Sequence, residues 1–199
     1  MRNLNCVLLQ GVRCISHQAK SAVIDPLSIR VRQEQSADHQ ATEALALAAF
    51  DPDPRVAELV RRLRASSSLI TELNLVAQVE NTIVGHLMVS RARITSGHDL
   101  ALLSPLGVLP TFQRQHIGSA LMQYALTWLE ASPYPLVILE GVPSYYPRFG
   151  FVAAHPLGID PPFDLPQAVW QAYCLPAYSA QVKGIVHYPN PFDFLHIDT

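Results

Sequence analysis

Hydrophobic and polar positions fall into regular stretches from about residue 27 onward. "LSIRVRQ" (27–33) alternates apolar and polar residues, the period of a strand with one covered face. "SADHQATEALALAAF" (36–50) opens on cap-competent Ser36 and Asp38 and continues in alanine and leucine, which predicts a helix. "DPRVAELVRRLRAS" (53–66) puts Asp53 at the N-cap and Pro54 at the first helical position. Val56, Leu59, Val60 and Leu63 then share one face of a second helix. "NLVAQVENTIVGHLMVSRARI" (74–94) reads as two strands joined at the polar "ENT", an antiparallel hairpin. "LALLSPLGVLP" (100–110) is a further strand interrupted by Pro105 and Gly107. Those two residues mark either a bulge that splays the strand or an ordinary edge irregularity. "IGSALMQYALTWLEAS" (117–132) is an amphipathic helix, and "PLVILEG" (135–141) is apolar enough to be a strand covered on both faces.

The order is strand, two helices, three strands, helix, strand, then a turn and more strand. A strand–helix–strand unit at 100–140 implies a right-handed crossover and one parallel pair in an otherwise antiparallel sheet. The fold class is mixed α/β, with helices packed on a central sheet. Composition agrees: 199 residues fit one domain, and 49% hydrophobic with 15% charged residues can bury a sizeable core. A net charge of -2 argues against binding nucleic acid through bulk charge. Cys6, Cys14 and Cys174 form neither a disulfide framework nor a zinc spacing, and the histidines pair with no metal ligand, so no metal is expected. A reducing, cytoplasmic setting is the simpler expectation. No apolar run approaches the ~20 residues of a membrane helix. Sixteen prolines, many after residue 155, predict an irregular C-terminal third. Residues 1–27 are basic and acid-poor before Asp25. They read as a transit-type segment or as a loosely ordered extension, and the single domain is taken as 28–199.

The chemistry concentrates in "LGVLPTFQRQHIGSAL" (106–121), where a strand stops at a proline, a polar turn follows and a helix begins. Packing alone does not call for Gln113, Arg114 and Gln115 there. A helix N-terminus offers unpaired N–H groups and a positive dipole end, which together make an anion site. The turn lacks the Gly-Lys-Ser/Thr trio of a Walker loop and the first glycine of a dinucleotide fingerprint.

"VLPTFQRQHIGSAL" resembles the acyl-coenzyme-A signature of the GNAT N-acetyltransferases, Gln/Arg-x-x-Gly-x-Gly/Ala, with Gln113 first and Gly118 last. "YYPRFGF" resembles the family's second landmark, here Tyr146 ahead of Gly150 and Phe151. The resemblance covers about residues 28 to 155, and the tail "PPFDLPQAVWQAYCLP" with "GIVHYPNPF" resembles the YhbS-like subgroup. It implies a central, mostly antiparallel sheet with one parallel, splayed strand pair and helices on both faces. It also implies acetyl-CoA as acyl donor and an amine acceptor, with a homodimer left open. The diphosphate would lie on the turn formed by Gln113, Arg114, Gln115, His116, Ile117, Gly118, Ser119 and Ala120. Pantetheine would lie along Leu106, Gly107 and Val108, pairing with the strand backbone.

Tyr146 matches the tyrosine that hydrogen-bonds the leaving sulfur as general acid, although next to Phe149 and Phe151 it also reads as core. Tyr145 is a candidate for the acceptor pocket. Glu72 and Glu140 are both open as general base. His116 stands where the family has glycine, which matters only if that position needs positive φ. An exposed imidazole, a cation facing the diphosphate and a block to the coenzyme all remain readings of it. A non-catalytic acyl-CoA-binding module of the same fold is the alternative function.

Overall fold

The computed structural model describes residues 28–196; the extension expected at 1–27 lies outside them. Strands β1 (Ile29–Gln33), β2 (Leu69–Val79), β3 (Thr82–Ile94) and β4 (Asp99–Val108) form an antiparallel run. β5 (Leu136–Glu140) pairs parallel to β4, and β8 (Trp170–Cys174) pairs antiparallel to β5. The short β6 (Val152–Ala153) follows β8 at the edge, so the order is β1-β2-β3-β4-β5-β8-β6. β7 (Ile159–Asp160) and β9 (Gly184–His187) pair with each other, and β9 also joins the far end of β3. The strands of the C-terminal third sit among prolines and turns, as their composition suggested.

Helices α1 (His39–Ala49) and α2 (Arg55–Arg64) cover one face of the sheet, and α3 (Ile117–Glu130) covers the other. Period-two alternation along β4 assigns its side chains to these two cores: Leu100 and Leu102 meet the α1/α2 side, while Ala101 and Leu103 meet the α3 side. Leu136 to Leu139 of β5 are all buried, as expected of a strand with both faces covered. Helix starts differ slightly from the sequence expectation. Ser36–Asp38 form a 3-10 turn ahead of α1, where the Asp38 carboxylate accepts the Gln35 N–H at 2.8 Å. The Asp53 carboxylate accepts the Arg55 N–H at 2.9 Å, while Pro54 sits at the cap position and the helix begins at Arg55.

Two local features build the site. Along the β3–β4 ladder, Leu87 faces Leu106 and Val89 faces Leu103, so β4 spends an extra residue around Ser104 and Pro105. That bulge answers the first of the two readings open for Pro105 and Gly107. The β4–β5 ladder holds only Ala101 opposite Val137 and Leu102 opposite Ile138. Beyond that point β5 stays paired with β8 to Glu140, and β4 diverges from it. No helix among the described residues is long and apolar enough to cross a membrane.

Candidate active site

A cavity of about 510 Å³ lies at the parting of β4 and β5, on the α3 side of the sheet. One wall is Leu106 and Val108, the end is Gln113, Arg114, His116, Ile117, Gly118 and Ser119, and Tyr146 closes the far side. With Tyr145, which also lines it, ten of the positions singled out in the sequence therefore meet in one space. Gly107, Gln115 and Ala120 are not on its wall. A Cβ at Gly107 would meet Leu45, Phe50 and Ala49, so this residue faces α1 on the other side of the sheet. Gln115 donates from Nε2 to the Thr111 carbonyl at 3.0 Å, and the Ala120 N–H bonds the His116 carbonyl at 2.9 Å as the first turn of α3.

The strand wall presents backbone to the cavity. Leu109 donates its N–H to the Val84 carbonyl of β3 at 3.0 Å. By the alternation of an antiparallel ladder, the polar groups of Val108 and Leu106 point the other way, toward the space that β5 has left. The Val108 carbonyl accepts Gln113 Nε2 at 3.2 Å and keeps a second lone pair. The end wall is a helix N-terminus: the N–H groups of Ile117, Gly118 and Ser119 precede the first intrahelical bond and carry the positive end of the helix dipole. His116 is the N-cap residue at φ 66°, and Arg114 holds φ 60°. The family glycine position thus does need the left-handed region, and histidine occupies it here.

Tyr146 is 9% exposed and packs edge-on to Tyr145 at 5.0 Å and to Phe151 at 5.8 Å. Burial, then the neighbouring Tyr145, pushes its phenol up to about 12, so it holds its proton throughout the neutral range. A Cβ at Gly141 would stand 2.1 Å from Tyr146 Cε2, so only glycine there leaves the ring its place. The core reading and the functional reading of Tyr146 are both realised: the ring is packed, and it also lines the cavity.

Tyr145, a candidate for the acceptor pocket, lines the cavity and is tied to the turn. Its side chain hydrogen-bonds Ser119, and a Cβ at Gly118 would approach its hydroxyl to 2.6 Å. Burial raises its phenol, an effect offset in part by Ser119 and by the charge of Arg148. Arg148 lies over the Tyr145 ring at 4.6 Å and donates from Nε to the Tyr145 carbonyl at 2.8 Å. Phe112, Val142 and Arg148 also line the cavity, and sequence reasoning missed all three. Only Arg148 had a usable signal, a cation two residues past Tyr146 in the second landmark. Of the general-base candidates, Glu72 is exposed on β2 away from the cavity, and Glu140 ends β5 facing a different pocket. No group of three or more potential metal ligands occurs among the described residues.

The family model for the acetyltransferase (GNAT) domain matches residues 71–153, from β2 to β6. Over 142 residues the chain is 30% identical to the uncharacterized N-acetyltransferase YjhQ of Escherichia coli strain K12, covering 68% of this chain and 78% of YjhQ. The chain belongs to the GNAT acetyltransferase family. Among solved structures, its GNAT fold superimposes on the family N-acetyltransferase YhbS of Escherichia coli, in complex with CoA, with a TM-score of 0.75. Identity there is 26%, over 83% of this chain and 92% of YhbS. A GNAT family acetyltransferase from Brucella melitensis in complex with acetyl-CoA gives a TM-score of 0.69 at 27% identity, over 83% of this chain and 98% of that one. The mostly antiparallel GNAT sheet, its parallel β4–β5 pair and the helices on both faces are therefore as the resemblance implied, while the short β7 and β9 add a second parallel pair that it did not.

Proposed function

We propose that this GNAT chain is an acetyl-CoA-dependent N-acetyltransferase whose acceptor is a primary amine of a small molecule or a peptide. The observation that carries the proposal is one cavity joining outward-facing strand backbone, an open helix N-terminus and a buried, protonated phenol. The two neighbours solved with CoA or acetyl-CoA support the same donor. In this reading the N–H groups of Ile117, Gly118 and Ser119, with the turn from Gln113, receive the diphosphate. Arg114, His116 and Arg148 place donors of positive or titratable character around it. Leu106 and Val108 pair with the pantetheine amides as an added strand would, and hold the thioester carbonyl in a fixed orientation.

Acyl transfer then needs little more than position and one proton. The neutral amine attacks the thioester carbonyl, the C–N bond forms, and the C–S bond breaks. Tyr146 gives its proton to the departing sulfur and regains one as the new amide nitrogen sheds its own, through solvent. A phenol raised to about 12 stays protonated through the neutral range, so its O–H is in place to hydrogen-bond the charge that develops on the sulfur in the transition state. Calorimetric titration with acetyl-CoA, followed by a panel of amines and peptides assayed for free thiol, tests the proposal. Binding together with thiol release on at least one primary amine is the expected result. Binding without release on any acceptor would leave an acyl-CoA-binding module, and no binding would remove the donor assignment.

A further inference from the structure

Where β5 ends, its ladder with β8 lacks one backbone hydrogen bond, and a buried side chain takes its place. The register sets Glu140 opposite Trp170, so Gly141 faces Val169. Gly141 donates its N–H to the Val169 carbonyl at 2.9 Å, as an antiparallel pair requires. The return bond is absent, because Val169 turns its own N–H to the Pro166 carbonyl at 3.0 Å. Gln171 supplies the donor instead: its Nε2 reaches the Gly141 carbonyl at 3.1 Å. We propose that Gln171 is a positioning residue for Tyr146, which it seats by fixing the Gly141 peptide; its bearing on acyl transfer rests on the proton-donor reading above.

Gln171 lies between Leu139 of β5 and Ala153 of β6 in the ladder and is 3% exposed. Leu139 belongs to the core on the α3 side, and directly opposed residues share a face, so Gln171 lies on the side of the coenzyme cavity. Tyr146 and Phe151 pack in that same core. A carboxamide buried among apolar side chains costs free energy unless its polar atoms are paired. An apolar residue of similar size would serve packing and strand pairing at this position equally well. What glutamine adds is the bond to Gly141.

Gly141 carries that bond to the phenol. A Cβ on it would stand 2.8 Å from Cδ2 and 3.0 Å from Cζ of Tyr146, so the Gly141 backbone is itself a wall of the ring's seat. Tyr145 at 5.0 Å and Phe151 at 5.8 Å are further walls. The Tyr146 hydroxyl has no hydrogen-bond partner among the described residues, so packing alone aims it. A Gly141 peptide free to rotate would loosen that aim. Val142, next along the chain, lines the coenzyme cavity and follows the same peptide.

The test replaces Gln171 by methionine, which keeps length and volume but cannot donate, in protein labelled with carbon-13 at the tyrosine ζ carbons. Loss of one resonance in Tyr146→Phe assigns Tyr146. Its phenol, pushed up to about 12, stays protonated through the neutral range, so its own titration leaves the line in place there. In Gln171→Met the Tyr146 line shifts, and its further shift on saturation with CoA is lost, while the affinity for CoA is unchanged. Gln171→Glu is the rescue, and it decides alone if the methionine variant does not fold. Burial raises an introduced carboxyl, and only the protonated form donates to the Gly141 carbonyl, so the line holds its wild-type position near about pH 6 and leaves it near about pH 9. With an amine from the panel above, Gln171→Met lowers kcat about tenfold and adds nothing to the loss in Tyr146→Phe, since both act through one hydroxyl. A Tyr146 line unmoved in Gln171→Met, a line independent of pH in Gln171→Glu, or a kcat loss that persists in the Tyr146→Phe background would each overturn the proposal. A line that follows Gln171 while Tyr146→Phe keeps full turnover would support the seat and count against the proton-donor reading alone.

Discussion

At the scale of single residues, His116 and Tyr146 carry the clearest consequences. His116 sits in the left-handed region at φ 66°, where a side chain costs roughly 1–2 kcal/mol. Glycine removes that cost but gives back about 0.4–1 kcal/mol through a looser unfolded chain. His116→Gly should therefore stabilise the fold slightly, raising Tm by about 1–4 °C for a chain of this size. A lower Tm in thermal denaturation would show that the imidazole makes a compensating contact. Tyr146 poses a different question, because its ring is packed and its hydroxyl is the proposed donor. Tyr146→Phe retains the packing against Tyr145 and Phe151. It should lower kcat by up to about 10²-fold, the lower end for a general acid, while acetyl-CoA affinity stays the same. Gly141→Ala should do similar damage by a different route, because its Cβ would press on the Tyr146 ring at 2.1 Å. Steady-state kinetics with matched coenzyme titration separates the two. Full turnover in Tyr146→Phe would end the acid role.

At the scale of elements, a buried polar knot fastens the two N-terminal helices to the sheet. Glu34, just after β1, accepts from Thr42 of α1 at 2.6 Å, from Asn74 of β2 at 2.5 Å, and from Arg64 of α2 at 2.9 and 3.1 Å. Asn74 in turn meets His86 of β3 at 3.0 Å. Burial alone would raise the Glu34 carboxyl, but the hydrogen bonds from Arg64, Thr42 and Asn74 outweigh it and hold the group below its usual value. Burial lowers His86 to about 4, only partly opposed by the Glu34 charge. Between that value and the ~6.5 of an unfolded histidine, the unfolded chain binds a proton that the folded one refuses. Stability should therefore fall as pH drops through that window, by on the order of 3 kcal/mol, with Glu34 adding a further loss at lower pH. Urea unfolding from pH 7 to 4 measures the slope. His86→Gln should flatten the upper part of it, and an unchanged slope would assign the loss to other groups. None of these long-range partners was visible in the sequence. His86 lies inside the hairpin pattern and Glu34 just past the first strand pattern, and neither pattern reveals the knot, because it joins residues up to 52 positions apart.

For the molecule as a whole, legibility followed the range of the interactions. β1 to β5 and the three helices were readable because alternation and helical period are local patterns. "WQAYC" and "GIVH" were not, since they are short and become strands only by pairing with β5 and β3. The site divides in the same way. The turn from Gln113 to Ser119 is contiguous and was legible, whereas Val142 and Arg148 reach the cavity by tertiary placement. The proposed donor site also couples to global stability, which permits one more prediction. Acetyl-CoA that binds only the folded chain should stabilise it by about 2.7 kcal/mol at a hundredfold excess over Kd. That corresponds to a Tm rise of roughly 5–10 °C for a chain of this length. Tyr146→Phe should keep the whole shift, since it removes chemistry and not binding. Gly118→Val should lose most of it, because its side chain drives Tyr145 away from the helix N-terminus that the diphosphate would occupy. Thermal scans of the three proteins with and without acetyl-CoA decide the matter. A full shift retained in Gly118→Val would move the diphosphate off this turn, and a shift lost in Tyr146→Phe would make that tyrosine a binding residue instead of the proton donor.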